Sequence, residues 1–189
     1  MPVRNVLLSS LLALFAVSTA CAEVVEHVSE DFYVANARPW QSVTDVVNAA
    51  STIRQDGILY HGNTHWDLTW YMYWDTTDDG TCRMTRVVVT LKATVNIPRI
   101  FDATDAQRAE YERFIAGLRE HERGHVEIAR SAAHEIVTAL EQLPPMPSCR
   151  ALRERANETG IRIRNQGSER QVEYDRVTNH GQSQRAWPR

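Results

Sequence analysis

The chain has 189 residues and a formal net charge of -3, with 43% apolar and 24% charged residues. These values are typical of a soluble globular protein with one ordinary domain. The small net charge gives no reason to expect a nucleic acid or an anionic membrane surface as a partner.

Residues 1–22 predict a signal peptide that is cleaved before Glu23. Arg4 supplies an early positive charge, and the apolar run VLLSSLLALFAV is too short to span a bilayer. Ala20 and Ala22 are the small residues that signal peptidase accepts. A buried N-terminal helix does not explain this combination. The remaining chain is therefore expected to be one exported domain, periplasmic or secreted, with no membrane attachment after cleavage.

The first elements after the signal peptide are a strand and a helix. Residues 28–34 (VSEDFYV) alternate weakly between polar and apolar side chains, which predicts a strand. Pro39 can open a helix over residues 40–50, because proline is favoured at the first helical position and three valines share one face.

Two long strand patterns follow and predict a β-hairpin. Residues 63–74 (NTHWDLTWYMYW) are rich in residues that favour strands, and alternation assigns the tryptophans, Leu68 and Met72 to the core face. The turn signal DTTDDGT separates this run from a second strand over residues 83–97, which Pro98 is expected to end.

Helices fill the second half of the chain. A long helix is predicted to begin after Thr104, which can form a capping box with Gln107, and to run up to the next proline pair. A second helix is predicted over roughly 149–158, with Gly160 and Gly167 as interruptions, and the tail is predicted to be a loop. This order predicts an α+β fold, with an antiparallel sheet packed against the long helix and a C-terminal helix.

The cysteines predict one disulfide bond. Cleavage of the signal peptide would remove Cys21 and leave Cys82 and Cys149 in an oxidising compartment, where two cysteines most simply pair. The bond would close a long loop and contribute ~4 kcal/mol in the chain-entropy model. Neither cysteine has a second cysteine or a histidine at zinc-ligand spacing.

The segment LREHERGHVEIA, residues 118–129, carries the pattern HExxH as His121, Glu122 and His125. Residues four apart lie on one helix face, so the two imidazoles can bind one Zn²⁺. Glu122 points about 100° away around the helix axis, where it can accept a proton from water activated by the metal. One zinc ion is therefore the expected cofactor.

A simpler interpretation of the same segment is a solvent-exposed helix face with ion pairs. Five charged residues fit this description: Arg119, Glu120, Glu122, Arg123 and Glu127. The position of the pattern inside a long helix, the predicted export and the apolar flanks favour the metal site instead.

A catalytic zinc needs a third protein ligand and an open position. The candidates in the chain are His180, Asp175, Glu158, His61 and His65. His134 cannot share the metal, because nine helical residues separate it from His125 by about 13 Å on the opposite side of the helix.

Four segments together resemble a bacterial family of predicted secreted zinc-dependent proteases, known chiefly as a domain of unknown function. They are WDLTWYMYW, CRMTRVVVTLKATVNIP, HERGHVEIA and YDRVTNHG, and the likeness covers nearly the whole chain after residue 22. The resemblance implies a zincin-like domain in which the tail brings His180 to the active site, with Tyr174 and Asp175 close by.

The ligand set that follows is His121, His125 and His180. Asp175 is the next candidate for the third position, and Glu158 follows it because some zincins take their third ligand from the next helix. For Glu158 a solvated position among neighbouring arginines is the simpler explanation.

The resulting functional prediction is a secreted zinc metallopeptidase that acts on peptides or proteins. Glu122 is the expected general base, and Tyr174 is the candidate donor that stabilises the oxyanion. The strand over residues 83–97 could offer its edge to an extended substrate.

Two other classes of function stay open. The protein could be a non-catalytic periplasmic metal-binding or structural module, or a module that binds a partner through aromatic side chains of the strand pair. Loss of activity on chelation, with recovery on adding zinc, would distinguish an enzyme from both.

Overall fold

The computed structural model describes residues 23–55 and 57–188, so the predicted signal peptide lies outside the described residues. The elements in chain order are β1 (Glu23–Asn36), α1 (Val43–Ala50), β2 (Arg54–Gln55), β3 (Ile58–Leu59), β4 (Asn63–Thr76), β5 (Cys82–Phe101), α2 (Asp105–Glu141), α3 (Cys149–Thr178) and a 3-10 turn (Gln182–Gln184). None of the helices in the described part of the chain is long and apolar enough to cross a membrane.

The α+β class is confirmed, but the prediction of an antiparallel sheet is wrong. The main sheet is mixed, in the order β1-β5-β4, with β4 antiparallel and β1 parallel to β5. The alternation of side chains predicts which face of a strand is buried but carries no information on strand direction. β5 is the central strand, so the expectation that residues 83–97 offer a free edge is also wrong. The edges of this sheet are β1 and β4.

The core lies between one face of the sheet and the helices. Side chains on the core face of β5 are buried, namely Val87, Val89, Leu91, Ala93, Val95 and Ile97. β4 confirms the predicted alternation, since Leu68 is buried while Tyr71 and Tyr73 point to solvent. The opposite face of the sheet carries mostly polar side chains, as expected for a sheet covered on one side.

The ends of two elements that were predicted from prolines differ in the structure. β5 continues through Pro98 to Phe101, where only β1 pairs with it, because the pairing with β4 ends at Asn96. α1 begins after Ser42, whose hydroxyl caps the helix, and not at the residue that follows Pro39.

The capping box of α2 is confirmed. The Thr104 hydroxyl accepts a hydrogen bond from the Gln107 backbone N–H at 3.3 Å, and the Gln107 side chain accepts from the Thr104 N–H at 2.8 Å. These bonds satisfy backbone donors that an α-helix leaves unpaired at its start. From there α2 runs for 37 residues along the core face of the sheet.

The predicted interruption of α3 is wrong, because its glycines serve close packing. A Cβ at Gly160 would lie 2.7 Å from Cζ2 of Trp70, and one at Gly167 would lie 3.2 Å from the Cβ of Ala132. Each glycine costs the helix about 1 kcal/mol relative to alanine, which the packing offsets. α3 therefore continues for 30 residues and carries its last turns to the centre of α2.

The predicted disulfide is confirmed between Cys82 and Cys149, with 5.0 Å between the Cα atoms. It joins the first residue of β5 to the first residue of α3. The disulfide thereby attaches the start of α3 to the sheet. The residues that this helix brings to α2 lie near its other end.

Candidate metal centre

Three potential metal ligands from two helices converge on one point. His121 and His125 lie on the face of α2 that is turned towards α3, and Asp175 lies on the last turns of α3. The Nε2 atoms of His121 and His125 are 3.3 Å apart. Asp175 Oδ1 lies 3.2 Å from Nε2 of His121 and 3.1 Å from Nε2 of His125. We call these residues the ligand cluster. Within residues 23–55 and 57–188 no other group of three such side chains converges.

The geometry of the ligand cluster fits a tetrahedral zinc ion. Four ligands at about 2.0–2.1 Å from zinc lie roughly 3.3 Å from one another. The three measured distances are close to this value, so the atoms form one face of such a tetrahedron. Two imidazoles and one carboxylate are also a ligand set that zinc enzymes use.

The pKa shifts within the ligand cluster reflect this proximity. Burial raises the pKa of Asp175, but hydrogen bonds and charge from both imidazoles outweigh burial and hold the pKa well below its usual range. Burial lowers the pKa of His125, but hydrogen bonds to Asp175 and Gln171 raise it overall. Asp175 is therefore an ionised carboxylate, which is the form that binds a cation.

Both imidazoles are also held by contacts at Nδ1, the ring nitrogen that does not belong to the ligand cluster. The Nδ1 of His121 lies 3.0 Å from Gln184 Oε1, and the Nδ1 of His125 contacts Gln171 Oε1. The Tyr174 ring stacks on His121, with 5.2 Å between centroids and 12° between planes. These contacts fix the directions in which the two rings point.

Gly124 is the residue that makes room for Tyr174. A Cβ at this position would overlap the Tyr174 hydroxyl and ring. The Tyr174 hydroxyl donates to the His121 carbonyl oxygen at 3.3 Å. The space that Gly124 leaves next to the two histidines is thus filled by a side chain of α3.

Glu122 lies in a buried position beside the ligand cluster, with 3% of its surface exposed. The Thr64 hydroxyl of β4 donates to Glu122 Oε2 at 2.8 Å. A Cβ at Gly62 would lie 2.8 Å from Oε1, so a larger residue where the chain enters β4 would displace the Glu122 carboxylate. Burial raises the pKa of Glu122, against the opposing effects of Thr64 and the two histidines.

A cleft of about 430 Å³ opens above the ligand cluster and Glu122. Its walls come from residues 53–55, residues 60–64, α3 and the C-terminal tail. Large side chains that line it include Tyr60, Trp66, Leu118, Val172 and Trp187. A second groove continues from the cleft between β4 and α3, and the two share Thr64, Trp66 and Gln171.

The other predicted site residues lie at varying distances from the ligand cluster. His180 lines the cleft, and its Nδ1 is 4.0 Å from Asp175 Oδ1. His61 also lines the cleft, but it is buried against Asn48 and burial lowers its pKa to about 4. His65 points to solvent from the exposed face of the sheet, and Glu158 is exposed next to Arg155.

Several residues at the site were not predicted from the sequence, namely Thr64, Gln171 and Gln184. For Gln171 a signal exists, because Gln171, Tyr174 and Asp175 are spaced as residues on one face of a helix. The expectation of a short C-terminal helix hid this pattern. Thr64 and Gln184 come from distant parts of the chain, and no local spacing points to them.

Comparison with known proteins places the chain in a family without assigning an activity. A family model described as "Bacterial protein of unknown function (DUF922)" matches residues 30–181, which include the ligand cluster and Glu122 and exclude Gln184. No curated protein and no solved structure matches the chain. The resemblance to a bacterial family of unknown function is confirmed, while protease activity stays a prediction. The chain belongs to the DUF922 family.

Proposed function

We propose that this protein is an exported zinc-dependent metallopeptidase whose zinc ligands are His121, His125 and Asp175. The proposal depends on one observation above all. Three ligand atoms form a triangle with sides of 3.1–3.3 Å at the floor of a cleft that also contains a buried glutamate. Asp175 takes the third position in place of His180, because it lies within 3.2 Å of both imidazoles.

A bound zinc ion supplies a Lewis acid that polarises the scissile carbonyl and makes water a better nucleophile at neutral pH. Glu122 accepts the proton of the attacking water and returns it to the leaving amine. Its raised pKa suits this role, because a base works best when its pKa is near the working pH. Thr64 orients the carboxylate by donating to Oε2.

The donor that stabilises negative charge in the transition state is assigned to His180. The Tyr174 hydroxyl is engaged with the His121 carbonyl oxygen and with Gln184, and Tyr174 does not line the cleft. His180 does line it, lies next to Asp175 and keeps 39% of its side chain exposed. A donor of this kind contributes when it faces the position where the oxyanion develops.

The substrate class that fits the cleft is an extended polypeptide. β4 has a hydrogen-bonded strand neighbour on one side only among the described residues, and this edge borders both the cleft and the groove beside α3. An extended chain can pair with a free strand edge through backbone hydrogen bonds. Such a chain would pass from the groove into the cleft beside Glu122.

The test compares wild type with Glu122→Gln on a fluorescent unfolded protein and a mixed peptide library. We expect wild type to bind one zinc ion, to lose activity on chelation and to regain it with zinc. Glu122→Gln should keep the zinc and lose activity by about 10²–10⁴-fold, because the substitution removes only the proton acceptor.

Glu127→Gln is the matched control, because Glu127 lies on the same helix in an exposed ion pair with Arg130. It should cleave like wild type. Equal cleavage by wild type and Glu122→Gln would contradict the role of Glu122. Tight zinc binding with no cleavage, together with unfolding on chelation, would instead support the alternative of a non-catalytic metal-binding module.

A further inference from the structure

The C-terminal tail folds back onto α2 at the position of His121. Asn179, His180 and Gly181 have φ values of 51°, 48° and 79°, which turn the chain sharply after α3. A Cβ at Gly181 would lie 2.9 Å from Cγ of His121, so a glycine is required at this contact. The turn brings Gln184 to the Nδ1 of His121, whereas Asp175 lies at the Nε2 of the same ring.

The amide orientation of Gln184 follows from its neighbours. The His121 carbonyl oxygen can only accept, so the Tyr174 hydroxyl donates to it at 3.3 Å. The Tyr174 oxygen then accepts from Gln184 Nε2 at 3.0 Å. This leaves Gln184 Oε1 against the Nδ1 of His121.

Gln171 is oriented in the same way by an independent contact. Its Nε2 donates to the His125 carbonyl oxygen at 2.9 Å, so its Oε1 faces the Nδ1 of His125. An amide oxygen only accepts hydrogen bonds. Each Nδ1 therefore carries a proton. In the metal-free protein each Nε2 can also donate to Asp175 Oδ1, which lies 3.1–3.2 Å away, and a bound cation would take the place of these Nε2 protons.

We propose that Gln171 and Gln184 are positioning residues that hold His125 and His121 in the Nδ1–H tautomer with both Nε2 lone pairs directed at the metal position. The inference rests on the metal site of the proposed function. It also makes the tail a part of that site, although Gln184 lies beyond residues 30–181 of the family match. Partners of this kind orient metal-binding histidines and raise their basicity.

Two measurements test the proposal without using activity. The first is the tautomer of each histidine in metal-free Asp175→Ala at alkaline pH, from long-range ¹H–¹⁵N correlation spectra, because in this variant the carboxylate 3.1–3.2 Å from the two Nε2 atoms no longer competes for their protons. We expect His121 and His125 to be Nδ1–H tautomers. An Nε2–H tautomer at both residues of this variant would overturn the proposal.

The second measurement is zinc affinity by competition with a chromophoric chelator. Gln184→Leu and Gln171→Leu should each weaken binding by about 10–100-fold, and each should change the tautomer signal of its own histidine only. Gln184→Glu keeps an acceptor for the Nδ1 of His121, and the Tyr174 hydroxyl can donate to the new carboxylate, so this variant should bind zinc within a few-fold of wild type. Gln166→Leu is the control, because Gln166 is an exposed residue of α3 that accepts a hydrogen bond from Arg162 on the same helix.

The outcomes separate this inference from the proposed function. Leucine variants that fold with wild-type zinc affinity and tautomers would overturn the positioning role and leave the metallopeptidase proposal intact. A wild type that binds no zinc would overturn the proposed function, while the tautomers would still test the contacts. If the leucine variants fail to fold, the spectra of metal-free Asp175→Ala decide.

Discussion

Two faces of α2 carry ionisable side chains over the same three turns, but the environments of these side chains differ. On the side turned to α3 and the start of β4, His121 and Glu122 are buried and His125 has 12% of its side chain exposed. On the face turned to β1, Arg119 and Arg130 make ion pairs with Glu30 and Glu26 and stay partly exposed. We call these the cleft face and the ion-pair face.

The comparison shows that a charged helix can combine two different kinds of polar surface. On the ion-pair face each charge has an opposite charge and water beside it, so the pairs mainly contribute solubility and weak stability. On the cleft face burial is compensated by convergent side-chain contacts, which is the arrangement expected at a site that binds an ion. The simpler interpretation of the sequence applies to one face only.

The largest expected effect of a single substitution is at Asp175. Asp175→Asn keeps the shape of the side chain but removes the charge and lowers the affinity for a divalent cation. We expect zinc affinity to fall by more than about 100-fold, since even residues behind the ligands contribute 10–100-fold. Zinc content after dialysis and chelator competition measure this directly.

Glu173→Gln is the control for that substitution, because Glu173 lies on the same turn of α3 and pairs with Arg176 on the solvent side. It should retain one zinc ion per chain. Wild-type zinc affinity in Asp175→Asn would contradict the comparison, because the cleft face would then have no ion site to distinguish it from the ion-pair face.

The second prediction concerns His180 and distinguishes the two candidates for the third ligand. If Asp175 is the ligand and His180 the donor, His180→Ala keeps one zinc ion and loses about 10²-fold in kcat. If His180 is a ligand, the same variant loses zinc. Atomic absorption and steady-state kinetics on one preparation therefore decide between the two roles.

The sequence predicted much of the fold because the relevant signals are local. The capping residue Thr104, the alternation in β4 and the pair Cys82–Cys149 each depend on short spacing or on compartment chemistry. The direction of β1 was not predictable, because the pairing partner lies more than sixty residues away and alternation is the same in both directions.

The residues of the candidate site also divide into those that the sequence predicts and those that it does not. His121, Glu122 and His125 are predictable, because one helical turn brings them together. Asp175 joins them only because Gly160 and Gly167 let α3 pack closely and continue, whereas isolated glycines in a sequence more often indicate a break. The approach of two helices is a tertiary property, and no spacing within either helix encodes it.

The smallest expected effect is on the ion-pair face. Arg119 lies 2.8 Å from Glu30 with 41% and 36% of the side chains exposed, so water screens the pair. We expect Arg119→Met to lower the free energy of unfolding by less than about 1 kcal/mol in urea denaturation and to leave zinc affinity unchanged. The small loss should shrink further at high salt, because mobile ions screen exposed charges. A large change in zinc affinity would mean that the two faces of α2 are coupled through the helix, and the separation between them would have to be abandoned.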